Sequence, residues 1–296
     1  MTNPPVCNYE DSDYQSSFWD KGGREYEDRV EAIALKRLLP KSGRLLLELG
    51  AGAGRNTPRY VGFERIVLLD YSRTQLEQAQ ARLGGSDKYI YVAADVYRLP
   101  FVDGLFDAAT MIRVLHHMAD APKALGQVRN VLGPGGAFIL EFANKQNLKS
   151  ILRYWLGRQK WSPFTLEPVE FVKLNFDFHP RAVFRWLKDL GFTVEKKLTV
   201  SHFRAEFFKR IIPVSALVFF DSLFQWTGAL FQLTPSVFVR AVASGQPLVV
   251  SEPEAFFKCP ECGQSPLAEK KDHFECPNCK HKWGFKDGIY DFRQPM

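Results

Sequence analysis

The feature that most constrains the fold is a short apolar run that leads into a glycine-rich turn. Residues 45–49 read LLLEL, and the turn GAGAG follows directly at 50–54. A buried strand that ends in such a turn is typical of the first strand of a nucleotide-binding α/β sheet. The dinucleotide pattern G-x-G-x-x-G is not completed, because Arg55 occupies the position of its third glycine. The turn therefore predicts that a ligand comes close to the backbone, and it leaves the kind of ligand open.

Strand-like and helix-like segments alternate over the first half of the chain. Further strands are predicted at 64–70, 88–95, 106–112 and 136–142, and helices at 25–39, 54–62, 73–84 and 120–132. Beyond residue 142, the pattern predicts a helix at 181–190, a sixth strand at 191–200 and a seventh at 236–243. This order predicts an α/β protein with a Rossmann-like, doubly wound, seven-stranded sheet that has helices on both faces.

Three carboxylates stand at or near the ends of the first three predicted strands. Glu48 lies two residues before the glycine turn, Asp70 ends the second strand and Asp95 ends the third. Ligands of open parallel sheets bind at the carboxyl ends of the strands. Carboxylates there suit a ligand with an amine, a ribose and an adenine, and suit a pyrophosphate poorly because like charges repel.

Four segments resemble, in order and spacing, the motifs of class I S-adenosylmethionine-dependent methyltransferases of the type 11 family. They are LLELGAGAGRN, VLLDYS, AADVYRLPFVDGLFDAATMIRVLHHM and VLGPGGAFILEF, within residues 45–142. The resemblance implies a methyltransferase (EC 2.1.1.-) with S-adenosylmethionine as methyl donor. It implies that the glycines admit the methionine moiety, with the first carboxylate near its amine, the second on the ribose and the third beside the adenine. The predicted donor-binding residues are Glu48, Gly50, Ala51, Gly52, Asn56, Asp70, Tyr71, Asp95, Val96 and Arg113.

Candidates for acceptor binding or proton transfer follow the fourth and fifth strands and a later segment, NFDFHP. From these we take Arg113, His117, Asn144 and His179 as predicted catalytic residues. Arg113 has two interpretations, binding of an anionic acceptor or pairing with a carboxylate. His179 precedes a proline and is equally suited to cap a helix. A base is needed only if the acceptor must lose a proton.

The chain before the first strand is predicted to form a lid and helix over residues 1–43. In the resembled family the equivalent segment often closes over the donor. Trp19, Arg24 and Tyr26 are therefore candidates for lid contacts, and packing is the alternative for each.

Four of the five cysteines form two CxxC pairs near the end of the chain. Cys259 and Cys262 are followed after 13 residues by Cys276 and Cys279. Two such pairs at this spacing predict a closed, structural Zn²⁺ site. The segment 255–296 resembles small zinc-ribbon proteins that partner some tRNA and protein methyltransferases. We predict a zinc-ribbon module there, preceded by a linker at 244–254, and expect a Cys276→Ser variant to lose the module's order and keep donor binding.

Residues 145–215 carry 14 Lys/Arg and 6 Asp/Glu, a net charge of +8, whereas the whole chain carries +6. Within the methyltransferase domain predicted at 44–243, the aromatic-rich segment 203–233 is expected to fold as a helical insertion. Because the sixth strand should run parallel to the first five, this insertion should leave from the ligand edge and form a wall of the acceptor site. These features favour a small or amphiphilic, anionic acceptor, with contact to an anionic membrane as a further possibility.

The alternative function is an RNA methyltransferase, acting on tRNA or rRNA, that uses the ribbon for docking; its support is the +8 segment and the ribbon resemblance. A non-catalytic adapter is a third interpretation, and the intact donor motifs oppose it. No run of about 18 apolar residues predicts a transmembrane helix. The start of the chain lacks the pattern of a secretory signal, so a cytoplasmic location is expected.

Overall fold

The structure is a computed structural model that describes residues 4–7, 9–11, 19, 23–245 and 255–296. Most of the predicted linker, residues 246–254, and much of the predicted lid therefore lie outside the described residues. The helices are α1 (Glu25–Leu38), α2 (Arg73–Leu83), α3 (Ala121–Val131), α4 (Leu148–Trp155), α5 (Pro180–Asp189), α6 (Glu206–Ile211) and α7 (Val214–Phe224). The strands up to residue 243 are β1 (Gly43–Leu49), β2 (Phe63–Asp70), β3 (Tyr89–Ala93), β4 (Phe106–Met111), β5 (Leu132–Ala143), β6 (Val169–Val172), β7 (Asn175–Asp177), β8 (Phe192–Val200) and β9 (Ser236–Ala243).

Seven of these strands form one sheet in the order β3-β2-β1-β4-β5-β9-β8. The pairs among β1 to β5 are parallel, and β9 lies antiparallel between β5 and β8. The predicted seven-stranded, Rossmann-like fold is therefore confirmed, and the sixth predicted strand, β8, runs parallel to the first five as expected. Strands β6 and β7 form a separate hairpin.

The central strand β1 is buried on both faces, which explains its unbroken apolar sequence. Leu45, Leu47 and Leu49 pack into a core beneath α3 and α5, whereas Leu46 packs on the opposite face with residues of α2. Burying a leucine side chain contributes about 1.5–3 kcal/mol relative to leaving it exposed. This two-sided burial fixes the position of the turn that follows β1.

One predicted helix is wrong. Residues 54–62 contain a three-residue 3₁₀ helix, Thr57–Arg59, and otherwise form turns. Gly54 has a φ of +72°, outside the helical region, and Pro58 has no backbone N–H with which to extend a helical ladder. The other helices predicted in the first half of the chain agree with the structure to within one residue at each end.

The C-terminal segment adds four strands, β10 (Ala268–Glu269), β11 (His273–Glu275), β12 (Lys282–Lys286) and β13 (Ile289–Asp291). They are antiparallel to one another, and β13 pairs in parallel with β3. The ribbon therefore continues the same sheet to eleven strands. Phe257 of this segment packs into the core of the main sheet, with its ring stacked on that of Phe101 at 5.9 Å between centroids.

The segment 203–233 is helical, as predicted, and begins at the carboxyl end of β8. Helix α7 packs on α1, where the Tyr26 hydroxyl donates a hydrogen bond of 2.5 Å to buried Asp221. None of the helices among the described residues combines the length and the apolar character needed to cross a bilayer.

Candidate functional site

One cleft opens at the carboxyl ends of β1, β2 and β4. All ten predicted donor-binding residues line it, and so does His117. We call it the donor cleft. Its remaining walls include Tyr9 and Trp19 from the segment before α1.

The glycine turn after β1 forms the floor of the donor cleft, and its glycines are required for different reasons. Gly50 has a φ of +64°, and a Cβ there would lie 2.2 Å from a side-chain carbon of Val114. Gly52 has a φ of +53°, but a Cβ at that position would lie 3.7 Å from its nearest neighbour, on Gln75. Gly50 thus permits close packing, whereas Gly52 permits the left-handed backbone that turns its N–H toward β2.

Glu48 is buried beneath this turn and is held by two hydroxyl groups. Its carboxylate accepts hydrogen bonds from Thr57 Oγ1 at 2.6 Å and from Tyr60 OH at 3.1 Å. Burial raises the pKa of Glu48 to about 7. A cation bound in the cleft would favour the ionised carboxylate, which is the chemistry expected for recognition of an amine.

The other two strand-end carboxylates are preorganised by backbone N–H groups. Asp70 Oδ2 accepts from Gly52 N at 2.8 Å, and its Oδ1 accepts from Ser72 N at 2.9 Å. Each oxygen has a second lone pair, so the fixed carboxylate can still accept from a pair of hydroxyls. Asp95 Oδ1 accepts from Tyr97 N at 2.9 Å, which fixes the carboxylate at the end of β3.

Arginine residues and an acidic helix cover one side of the donor cleft. Glu31 of α1 is fully buried between Arg55 and Arg113, and receives a 2.7 Å hydrogen bond from Arg113 Nε. Both arginines also lie against the ring of Trp19, the closer being Arg55 at 3.5 Å from the ring centroid. The residue that breaks the dinucleotide pattern, Arg55, therefore binds a helix of the protein itself. Arg113 pairs with a carboxylate, the second of its two interpretations.

The other lid candidates lie in different environments. Tyr26 is 1% exposed and packs against α7, which is the packing alternative. Arg24 lines a second cleft, described below. Only Trp19 of the three lines the donor cleft.

The structure separates the predicted catalytic residues. His117 lies at the donor cleft, where Nδ1 contacts the Leu174 carbonyl at 3.0 Å and Nε2 contacts Tyr9 OH at 3.1 Å. Burial lowers its pKa, so the ring is neutral near pH 7. Asn144 and His179 do not line the donor cleft. The Asn144 amide donates to two backbone carbonyls, and His179 Nδ1 caps α5 by accepting from Arg181 N at 3.1 Å.

A second cleft, of about 1310 Å³, lies between α4, the β6–β7 hairpin and the loop after β8. We call it the second cleft. It is lined by apolar side chains of α4 and of the segment 203–233, and by five cations: Arg24, Lys149, Arg153, Arg158 and Arg204. The sequence patterns predict apolar and basic character in this region, whereas no local pattern distinguishes Arg204 from its neighbours.

Asp177 lies on an element that contacts both clefts. It lines the second cleft, and its strand β7 packs against the turn that carries His117, a residue of the donor cleft. Burial raises the pKa of Asp177 to about 6, against the opposing effect of the Arg204 guanidinium. Among the described residues its carboxylate has no hydrogen-bond donor. The motif NFDFHP indicates this region, but the sequence favours its histidine as the site residue, whereas in the structure it is Asp177 that lines the second cleft.

The four predicted metal ligands come together at the base of the ribbon. The Sγ atoms of Cys259, Cys262, Cys276 and Cys279 all lie within 4.8 Å of one another. The Cys259–Cys279 and Cys262–Cys276 Sγ pairs are separated by 3.6 and 3.5 Å. Four thiolates at about 2.3 Å from one ion would be about 3.8 Å apart, so the cluster fits tetrahedral Zn²⁺.

Comparison with known proteins finds similarity to methyltransferases. Residues 47–140 match the family described as "Methyltransferase domain". The chain is 28% identical over 158 residues to a demethylmenaquinone methyltransferase of Clavibacter sepedonicus, covering 53% of this chain and 56% of that protein. It is 38% identical over 125 residues to a 2-phytyl-1,4-naphtoquinone methyltransferase of Nostoc punctiforme, covering 39% and 54%. The chain thus spans about half the length of these relatives.

Among solved structures, the fold resembles one chain of the complex between the Haloferax volcanii Trm112 methyltransferase activator and a methyltransferase. The TM-score is 0.56 at 18% identity, and the match covers 78% of this chain and 96% of that one. This similarity supports the fold. Together with the match of residues 47–140, it shows that the central sheet has the α/β, Rossmann-like fold of methyltransferases.

Proposed function

We propose that the protein is an S-adenosylmethionine-dependent methyltransferase. The observation that carries the proposal is the donor cleft, in which all ten residues expected from the motifs line one cavity. Glu48 would hold the amine, Asp70 the ribose hydroxyls, and Asp95 with Val96 the adenine. The bound donor supplies a methyl group that its sulfonium already activates, so the chain's task is to align the acceptor and exclude water.

We further propose that the acceptor is small or amphiphilic and anionic, and that it occupies the second cleft. The cleft offers apolar side chains for a greasy body, such as Leu152 and Phe231, and Arg204 for an acidic group. Relatives that act on naphthoquinone-type acceptors support an apolar substrate. The segment 203–233 would form one wall, because Phe224, Phe231 and Leu233 line the cleft.

An RNA acceptor is the second candidate. Its support is the +8 charge of residues 145–215 and the resemblance of the ribbon to partners of tRNA methyltransferases. The ribbon itself is slightly acidic, with 7 Lys/Arg and 8 Asp/Glu over residues 252–296. Its strand β13 is also paired with β3 at the sheet edge, which favours a stabilising role for the ribbon. The adapter interpretation is disfavoured by the preorganised carboxylates, and a cytoplasmic location stays a prediction.

Calorimetry with S-adenosylmethionine tests the donor assignment. Asp70→Ala should weaken binding by about 1.5–3 kcal/mol, the contribution expected of hydrogen bonds to a charged group. The matched control is Asp189→Ala, which removes an exposed carboxylate at the end of α5, away from the donor cleft. Equal affinity in the Asp70 variant and its control would contradict the ribose assignment.

The acceptor class can be tested with donor carrying a labelled methyl group. Anionic amphiphiles with a quinol or phenol head, total tRNA and rRNA are supplied in parallel to the protein. The proposal expects label in the amphiphile. Label in RNA alone would favour the second candidate, and donor binding without transfer to any acceptor would favour the adapter.

A further inference from the structure

Large apolar side chains are exposed on one region of the described chain. Of the 20 large apolar residues that are exposed, all except Val61 and Met296 lie between Leu148 and Leu233. Trp155 is 69% exposed, Leu230 is 83% exposed and Phe219 is 59% exposed. Exposed aromatic and leucine side chains on this scale are unusual for a protein surface that meets only water.

These residues come from separate elements that meet around the mouth of the second cleft. Leu152 lies on α4 and Leu156 directly follows that helix, Phe171 lies on the β6–β7 hairpin, and Phe224 and Phe231 lie on the insertion; all five are exposed and all five line the cleft. The insertion is distant in sequence from α4 and the hairpin, so the fold brings its apolar side chains beside theirs. We call this region the apolar face.

Cations are interspersed with the apolar side chains. Lys149 and Arg153 are exposed on α4, one helical turn apart, beside exposed Leu148 and Leu152. Arg158 follows that helix, and Arg210 follows the exposed Phe207 on α6. The apolar face therefore carries positive charge within the segment whose net charge is +8.

We propose that the apolar face docks on the surface of an anionic lipid bilayer, and that the acceptor enters the second cleft from the membrane. Apolar side chains at the level of the lipid headgroups, with lysines and arginines around them, are the pattern of peripheral membrane binding. Charge complementarity selects an anionic membrane, because a neutral one would leave the cations without partners. The second clause rests on the proposed methyltransferase function, whereas docking itself does not.

This geometry explains why the cleft opens where the apolar side chains are exposed. A lipid-soluble acceptor with an acidic head would pass from the bilayer into the cleft without crossing water. The long stems of the arginines can cover apolar surface while their guanidinium groups reach the headgroups. The insertion then serves both as a wall of the cleft and as a membrane contact.

Vesicle sedimentation tests the docking. The full chain is mixed with vesicles of phosphatidylcholine alone or with phosphatidylcholine containing 30 mol % phosphatidylglycerol, a composition chosen as roughly that of an anionic membrane surface. The proposal expects sedimentation with the anionic vesicles at least about tenfold stronger than with neutral vesicles, and a fall in binding at high salt. Equal sedimentation with both compositions would overturn the electrostatic part of the proposal, and sedimentation with neither would overturn it entirely.

Two sets of variants locate the membrane contact. Leu156→Ser combined with Phe231→Ser, both exposed at the mouth of the second cleft, should reduce vesicle binding at least about tenfold, whereas Val61→Ser, which removes an 81% exposed apolar side chain near the amino end of β2, should not. Lys149→Glu combined with Arg153→Glu should abolish the preference for anionic lipid. The matched charge control is Lys41→Glu combined with Arg44→Glu, both exposed near the amino end of β1.

Donor calorimetry on the parent protein, beside its vesicle sedimentation, separates the two proposals. Donor binding without vesicle binding would overturn docking and leave the methyltransferase proposal intact. Vesicle binding without donor binding would overturn the methyltransferase proposal and leave docking intact. A stable dimer in light scattering that dissociates in the Leu156→Ser and Phe231→Ser variant would assign the apolar face to a second copy of the chain and overturn docking.

Discussion

Ile289 of the ribbon pairs with Tyr91 of β3 in parallel register. The C-terminal segment thereby adds strand β13 to the edge of the seven-stranded sheet that β3 forms. Phe292 N donates to the Ala93 carbonyl at 2.7 Å, which extends the pairing to the end of β3. An exposed edge strand of this length would otherwise present unpaired backbone groups to other chains. The ribbon thus covers an edge of the sheet as well as bringing its four cysteines together.

The same ribbon reaches the residues around the donor cleft. The guanidinium of Arg293 contacts Glu10 at 3.3 Å and the Tyr71 carbonyl at 3.4 Å, and Arg98 binds Glu261 across the interface. Tyr71 lines the donor cleft. These contacts lead us to expect, in contrast to the sequence-based prediction, that donor binding depends on the ribbon.

Removal of the metal should affect both the ribbon and donor binding. Metal analysis should return one zinc per chain, and Cys276→Ser should lose it together with the order of residues 255–296. We expect donor affinity to fall by about tenfold in this variant, because Arg293 no longer holds Tyr71. Arg293→Gln provides the matched comparison, since it should retain zinc and still weaken donor binding. Unchanged donor affinity in both variants would show that the ribbon is only a covering element.

How far the sequence predicts this structure depends on the range of the interactions. Local patterns suffice for β1, for the glycine turn and for the CxxC pairs, since apolar runs, glycines and cysteine spacing report directly on burial, backbone conformation and metal geometry. The helix predicted at 54–62 is wrong, because positive φ at Gly54 overrides the helix-like pattern.

Long-range contacts cannot be predicted in the same way. Nothing near Arg113 in the sequence indicates that Glu31, 82 residues earlier, is its partner. The pairing of β13 with β3 likewise joins segments about two hundred residues apart, with no local signal for the register. The significance of Asp177 comes from burial beside Arg204, which only the tertiary structure shows.

The ion pairs of Glu31 should contribute strongly to the stability of the fold, because this carboxylate is fully buried. Glu31→Gln leaves Arg55 and Arg113 without their buried carboxylate, and breaking such a pair is expected to lower the free energy of unfolding by about 3–5 kcal/mol. Glu25→Gln on the same helix breaks only the exposed pair with Arg29, at 3.1 Å, and should change it by less than about 1 kcal/mol. Urea denaturation measures both; similar values for the two variants would contradict the assigned role of Glu31.

The two arginines also lower the pKa of Glu31, against the opposing effect of burial. Because the folded-state pKa lies below the unfolded value, the associated stability is present above the ordinary glutamate range and is lost as the pH falls through the folded pKa. The difference in stability between the protein and Glu31→Gln should therefore shrink in acid. A difference that grew toward low pH would have the wrong sign.

Donor binding should release a proton from Glu48. Its pKa is raised to about 7 by burial, and an ammonium group bound beside it would favour the ionised form. Affinity for S-adenosylmethionine should therefore decline as the pH falls below about 7. Calorimetry at a pH just below that value, in two buffers with different ionisation enthalpies, should show net proton release. Glu48→Gln should bind weakly without this proton release, whereas exposed Glu64→Gln should behave like the parent; proton uptake would contradict the assignment.

We expect Asp177 to be the carboxylate that accepts a proton from an acceptor hydroxyl, since it lies half-buried at the second cleft beside the turn that carries His117. The charged groups that act on it are Arg204 from the loop after β8, Glu141 of β5 and Lys145, which follows β5. With its pKa near 6, the carboxylate is ionised at neutral pH and can act as a base. Turnover should rise with pH through about 6 and level off above it. Asp177→Asn should reduce turnover by about 10²–10⁴-fold with donor affinity unchanged, if the acceptor loses a proton to this group.

Stability provides an independent measurement for the same variant. Burial raises the pKa of Asp177 from 3.8 to about 6, so ionising it opposes folding increasingly as the pH rises through that interval. Asp177→Asn removes that charge and should unfold at an equal or higher temperature than the parent at mildly alkaline pH, while losing turnover. Asp189→Asn, at the exposed end of α5, is the control and should alter neither property. A variant at 177 that lost stability and turnover together would show that Asp177 is a packing residue, and full turnover with an unchanged pH profile would exclude it as the base.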